Sequence, residues 1–137
     1  MFKFIPIMKN LKFIKFTALL IVALSYLSFV GVPDEISSAL KTGNTKVLTQ
    51  KMNTTIELVI LDKENVYSNI QAEQILNQFF KTHQPISFKV LHSGGSENSK
   101  YYIGSLKTKN ETYRVYYLLK TKEKTTLLYQ LRIESDE

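Results

Sequence analysis

Hydrophobic positions along the chain fall into three kinds of run, and each predicts a different element. Residues 16–32 (FTALLIVALSYLSFVGV) form a 17-residue stretch without a charge. Beyond it, apolar residues recur at helical spacing. Ile36, Ala39 and Leu40 make one face behind Pro33-Asp34-Glu35. Proline suits a first helical position, and the acids complement the helix dipole. Gly43-Asn44 predicts a left-handed stop. Val47, Leu48 and Met52 predict a second short helix with Thr45 as its cap. Ser68-x-x-Gln71 fits a capping box. Ala72, Ile75, Leu76, Phe79 and Phe80 follow it at i, i+3, i+4 spacing, a long amphipathic helix ending near His83 and closed by Pro85.

The third kind of run is β-branched or alternating. Residues 54–61 (TTIELVIL) read as a strand, 62–65 as a turn, and Val66-Tyr67 as a brief return strand. Further strands are expected over residues 86–92, 100–108, 112–120 and 127–134. Residues 92–99 (HSGGSENS) read as a flexible loop and Lys109-Asn110-Glu111 as a tight one. Because strand side chains alternate faces, Tyr102, Gly104, Leu106, Tyr113, Val115, Tyr117, Leu119, Leu127, Tyr129, Leu131 and Ile133 collect on one face. Tyr101, Ser105, Arg114, Tyr116, Lys120, Gln130, Arg132 and Glu134 collect on the other. Keeping both sets together requires an odd-length last loop, around residues 122–126, since a two-residue turn would carry Arg132 into the core beside Val115. That register places Arg114 opposite Glu134. The expected architecture is α+β: the helices, led by the long one around Ile75 and Phe79, roof a tyrosine-lined antiparallel sheet.

Charge changes the picture of the N-terminus. Lys3, Lys9, Lys12 and Lys15 precede the uncharged stretch, and no acid occurs before Asp34. A cationic flank before an apolar run of this length marks a signal peptide or an N-terminal membrane anchor over residues 1–32. At about 1.5 Å per residue the run reaches only the lower limit of a bilayer span. A cleavage site fits Ala23-Leu24-Ser25 or a position nearer Gly31. Residues 33–137 then form one domain outside the cytoplasm, periplasmic or secreted, or tethered to the inner membrane by an uncleaved N-terminus. The chain has no cysteine, so neither a lipidated N-terminus nor a disulfide is available. From Pro33 onward 14 basic residues face 12 acidic ones, a net +2, which is no electrostatic footprint for nucleic acid.

Several of these segments, taken together, resemble a known family. The carriers are Pro33-Asp34-Glu35-Ile36 with Gly43-Asn44, Val59-Ile60-Leu61-Asp62-Lys63-Glu64 with Val66-Tyr67-Ser68, and Gln71-Ala72-Glu73 with Phe79-Phe80. Residues 88–92, Tyr113-Arg114-Val115-Tyr116 and Gln130-Leu131-Arg132-Ile133-Glu134 complete them. They are similar to a group of short exported Gram-negative bacterial proteins known only as a domain of unknown function. That group belongs to the nuclear-transport-factor-two-like superfamily, related to the cystatin-like folds. The resemblance implies a cone-shaped α+β fold and no particular activity. Asn110-Glu111 stands where a glycine-bearing turn is more usual.

No catalytic or cofactor motif stands out: there is no G-x-S-x-G, H-E-x-x-H or phosphate loop. His83 and His92 lie on different elements without an acid cluster, so neither a metal nor another cofactor is implied. Ser93-Gly94-Gly95-Ser96 precedes a strand, where no helix dipole backs an anion. Tyr102, Tyr117, Tyr129 and His92 are the candidate ligand pocket. Arg114, Tyr116, Gln130 and Arg132 are the candidate interaction face, for an envelope protein or a homodimer through the sheet. The expected function is a non-enzymatic module binding a small ligand or a protein in the cell envelope. The alternative is a ketosteroid-isomerase-like enzyme using Asp62 or His92 beside a tyrosine hydroxyl, acting on a small apolar or carbonyl substrate. A cystatin-like inhibitory wedge is disfavoured by the polar tip Lys109-Asn110-Glu111.

Overall fold

A computed structural model of the chain describes residues 31–137 together with Lys12 and Lys15. The chain divides into two units, Met1–Gly31 and Val32–Glu137. The signal-or-anchor expectation lies outside the described residues. The second unit runs α1 (Val32–Thr42), α2 (Thr45–Lys51), β1 (Met52–Ile60), β2 (Lys63–Ser68), α3 (Asn69–Thr82), β3 (Pro85–Ser96), β4 (Ser99–Thr108), β5 (Thr112–Lys122) and β6 (Thr125–Ser135). Six strands form one curved sheet in the order β2-β1-β6-β5-β4-β3. All neighbours are antiparallel except β1 and β6, which run parallel. The helices bury one face of this sheet, so the α+β layering expected from the pattern is the one formed.

Local chemistry explains the helices. Ile36, Ala39 and Leu40 of α1 are buried, and Gly43 ends the helix at φ +69°, a conformation that costs glycine little. The cap of α2 is Asn44 rather than Thr45: Asn44 Oδ1 accepts from Val47 N at 3.2 Å. Thr45 is instead buried, its hydroxyl donating to Asn77 Oδ1 and tying α2 to α3. Met52, expected in that helix, opens β1. The capping box of α3 forms in both directions, Ser68 Oγ accepting from Gln71 N and Gln71 Oε1 from Ser68 N, each at 3.2 Å. Ala72, Leu76, Phe79 and Phe80 then face the core.

The turns depart from expectation. Residues 63–65 belong to β2, so the β1–β2 turn is only Leu61-Asp62, with Leu61 at φ +55°. The expected loop at residues 92–99 is largely strand, because β3 continues to Ser96. Gly94 pairs with Tyr101 across the ladder, and a Cβ on Gly94 would lie 2.5 Å from the Tyr101 hydroxyl oxygen. The tyrosine covers the bare glycine backbone, compensating its weak strand preference. Most consequential is the last hairpin. Its turn has two residues, Glu123-Lys124, yet Arg132 stays out of the core. The odd residue sits inside β6: Leu118 pairs with Gln130 but Leu119 with Leu128, a β-bulge at Tyr129. The expected Arg114–Glu134 pairing therefore holds.

Candidate functional site

Two of the four candidate pocket residues meet. Tyr102 and Tyr117 pair across β4 and β5 and stack with ring centroids 4.9 Å apart at 17°. Tyr117 is fully buried. Its hydroxyl lies 3.1 Å from Ser37 Oγ and donates to the Pro33 carbonyl at 3.4 Å. The roof over this pair is therefore α1, which corrects the expectation that α3 covers it. Phe88 closes the remaining side by lying on Gly104, where a Cβ would come within 2.5 Å of the ring. Burial pushes the Tyr117 phenol up to about 12, with the Ser37 contact opposing. Burial, then the Asp34 carboxylate, raises Tyr102 as well. The space left beside Tyr102 is a notch of about 180 Å³. Aromatic side chains fill this end of the domain, and the buried Tyr117 hydroxyl is satisfied.

Tyr129 and His92 lie elsewhere, each displaced by one bulge. The irregularity at Tyr129 makes Leu128 the buried residue and turns Tyr129 to the opposite face, beneath Lys120 and Lys122, whose Nζ atoms stand 5.0 and 5.4 Å from its ring centre. A second shift between Val90 and His92 pairs His92 with Ile103, which leaves it exposed on that same outer face near Tyr101. A one-residue offset reverses every side chain beyond it.

The candidate interaction face, by contrast, is assembled as expected. Arg114, Tyr116, Gln130 and Arg132 line a shallow depression of about 360 Å³ together with Glu134. Tyr116 stacks on Tyr101 at 5.9 Å and 20°. Gln130 Nε2 donates to Glu57 Oε1 at 2.9 Å across the parallel β1–β6 junction. Arg132 donates to Glu134 Oε1 at 2.9 Å and has Glu64 at 3.9 Å. The Glu134 bond raises the guanidinium above its ordinary range, against partial burial. Glu134 is thus held by Arg132, its neighbour along β6, rather than by Arg114 across the ladder. Among the described residues no helix covers these strands on this side, and the side chains point away from α1 and α3.

One feature escaped the sequence reading. Between α3 and the β1–β2 hairpin lies an open cleft of about 780 Å³. Leu58 and Ile60 form its floor, Ile75 and Phe79 its helical wall, and Tyr67 one side; Asp62, Lys63, Gln78, Lys81 and Thr82 ring it. The cleft exists because β2 presents Lys63, Asn65 and Tyr67 to the helix side, opposite Ile60, Leu58 and Ile56. Two of those three positions are polar where a helix-covered strand should be apolar, and that was the available signal.

The groups required by the enzymatic alternative do not converge. Asp62 and His92 are both exposed, and neither bonds a tyrosine hydroxyl among the described residues. The acid that does is Glu111, whose Oε2 accepts from Tyr113 at 2.9 Å beside a polar groove. Burial, followed by that bond, pushes Tyr113 up to about 12. His83 stacks on Phe79 at 4.3 Å, with Nδ1 3.0 Å from the Phe79 carbonyl, a packed helix end. Among the described residues no group of three or more acids and histidines could hold a metal ion.

Known structures agree with this geometry. A DUF4783 family protein from Bacteroides uniformis ATCC 8492 is 29% identical, with a TM-score of 0.74 over 78% of this chain and 99% of its own. One from Bacteroides ovatus ATCC 8483 is 27% identical, with a TM-score of 0.72 over 77% of this chain and 96% of its own. Rd1NTF2_04 with long sheet, at 13% identity and a TM-score of 0.61 over 74% and 94%, shares the fold alone. The nuclear-transport-factor-two-like cone expected from the resemblance is thus the fold observed. Among curated proteins none matches the chain. The family described as Domain of unknown function (DUF4783) matches residues 33–134, nearly the whole of the folded unit, and the chain belongs to that family.

Proposed function

We propose that the domain is a non-enzymatic binding module of the cell envelope that engages a protein surface through the sheet face opposite α1 and α3, the first occupant being a second copy of the chain. The observation that carries this reading is the convergence of Arg114, Tyr116, Gln130 and Arg132 in one shallow depression, with Tyr101 stacked alongside. Both types are enriched at interfaces: tyrosine adds large contact area with few freely rotating bonds, and arginine adds a planar fork of hydrogen-bond donors. Charge across the face is graded. Glu57 and Glu64 stand on the β1–β2 side, and Lys89 and Lys107 on the β3–β4 side. Face-to-face packing about a two-fold axis parallel to the strands lays each half over its opposite. The envelope address rests on the lysine-flanked apolar stretch at residues 16–32.

Light scattering coupled to gel filtration tests the interface. The wild-type chain is expected at twice the chain mass, and Arg114→Ala/Arg132→Ala should weaken association on the order of tenfold while moving Tm by less than about 4 °C. A wild-type chain that keeps a single chain's mass at high concentration overturns the self-docking reading. Recovery of the native protein from the cytoplasmic fraction overturns the address.

A further inference from the structure

We infer that the cleft between α3 and the β1–β2 hairpin binds an amphiphile with an anionic head and a single apolar chain. This site lies on the helix side of the sheet, away from the proposed interface. Its volume, about 780 Å³, falls within the span of small-molecule sites, and its floor and wall are aliphatic and aromatic. Size alone selects no ligand; the polar groups at its mouth do. Lys63 begins β2 opposite Ile60, and Lys81 lies in the last turn of α3. Neither ammonium is in an ion pair among the described residues. Asp62 is the single acid lining the cleft, so two cations face one carboxylate there.

Two neighbouring sources of negative charge are already engaged. Glu134 is held by Arg132 and Glu111 by Tyr113. A helix C-terminus ordinarily repels an anion, but at this end of α3 the Phe79 carbonyl accepts from His83 N at 2.8 Å, and the Thr82 hydroxyl also turns back onto it at 3.2 Å. The mouth thus carries a surplus of exposed positive charge beside an apolar trough, which suits a carboxylate or phosphate head whose chain lies along Leu58, Ile60 and Ile75. A free fatty acid offers that chemistry directly, and an anionic membrane lipid offers it by laying one of its two acyl chains in the trough.

The test titrates the full chain with dodecanoate, dodecanol and dodecylammonium below their micelle concentrations, read by calorimetry, beside flotation with phosphatidylglycerol vesicles. Dodecanoate should bind saturably at one per chain, about tenfold tighter than the other two. Lys63→Gln/Lys81→Gln should remove that preference and leave dodecanol within about twofold. Ile75→Trp should fill the trough and abolish binding; Gln78→Trp, at an exposed helical position on the same wall, serves if the first variant fails to fold. Lysine-dependent capture on vesicles without dodecanoate binding assigns the lipid source, and the reverse assigns the free acid. Equal binding of the ammonium amphiphile, wild-type titration of the filled variant, or lysine-dependent binding in neither arm overturns the inference.

Discussion

The two ends of the helix-covered sheet face are built from similar material and finish differently. Under α1, Tyr102, Tyr117 and Phe88 interlock, and the buried Tyr117 hydroxyl meets Ser37 and the Pro33 carbonyl. Under α3, Ile75 and Phe79 stand over a hairpin whose inward positions include Lys63 and Asn65, and about 780 Å³ stays open. The residues that look most like pocket lining in the sequence are the ones that fill the domain. The vacancy appears where a strand supplies too little apolar volume. In a small cone, a row of aromatic residues therefore marks the packed end, and polar residues at inward strand positions mark the end able to admit a guest.

The sharpest way to break this contrast is Tyr117→Ala. At the packed end it should cost about 3–5 kcal/mol by urea unfolding, while any ligand in the α3 cleft binds unchanged. A cost near that of a surface substitution would mean the α1 end is not tightly packed. The next effect is on pH. A tyrosine is neutral while protonated, and Tyr117 in the fold holds its proton to about 12, against 10.0 for the unfolded chain. Its share of stability is complete below pH 10 and is lost as pH rises through 12, on the order of 2 kcal/mol. Tyr113, also held to about 12, adds in the same direction. Urea midpoints should fall across that window, and Tyr117→Phe should flatten the fall. The smallest effect, at Ile75, sharpens the comparison along α3 itself. Leu76→Ala, fully buried, should cost roughly 3 kcal/mol, whereas Ile75→Ala on the cleft wall should cost less than about 1 kcal/mol in the same assay, because it enlarges an existing opening.

Much of this architecture was legible beforehand, and each failure has a physical cause. The α1 face, the Arg114–Glu134 register and the outward Arg/Tyr cluster follow from periodicity, and the Ser68–Gln71 box from a capping motif. Parity along the last hairpin was legible too: one residue had to be absorbed between β5 and β6. Whether a loop or a bulge absorbs it was not, because Glu123 and Lys124 adopt left-handed φ values of 50° and 65° without a glycine or asparagine to announce a tight turn. That choice, and its counterpart before His92, scattered the predicted pocket. Gly94-Gly95 misled for the opposite reason, since a tyrosine on the next strand supplies the cover those residues lack. The cleft was hidden because it consists of volume that side chains leave unoccupied, and hydrophobic spacing reports what is filled.

The parallel junction of β1 and β6 has a temporal side. β6, the last strand of this unit in chain order, lies inside the sheet, pairing Leu58 with Leu131 and Ile60 with Ile133. Until it emerges, the β1–β2 ribbon and the β3–β5 strands are separate fragments with raw edges. Joining them closes a long loop before any of its contacts can compensate, which places the chain among slow, high-contact-order folders. The unit thus completes its sheet only once β6 is made, and until then its two strand groups hold no ladder in common.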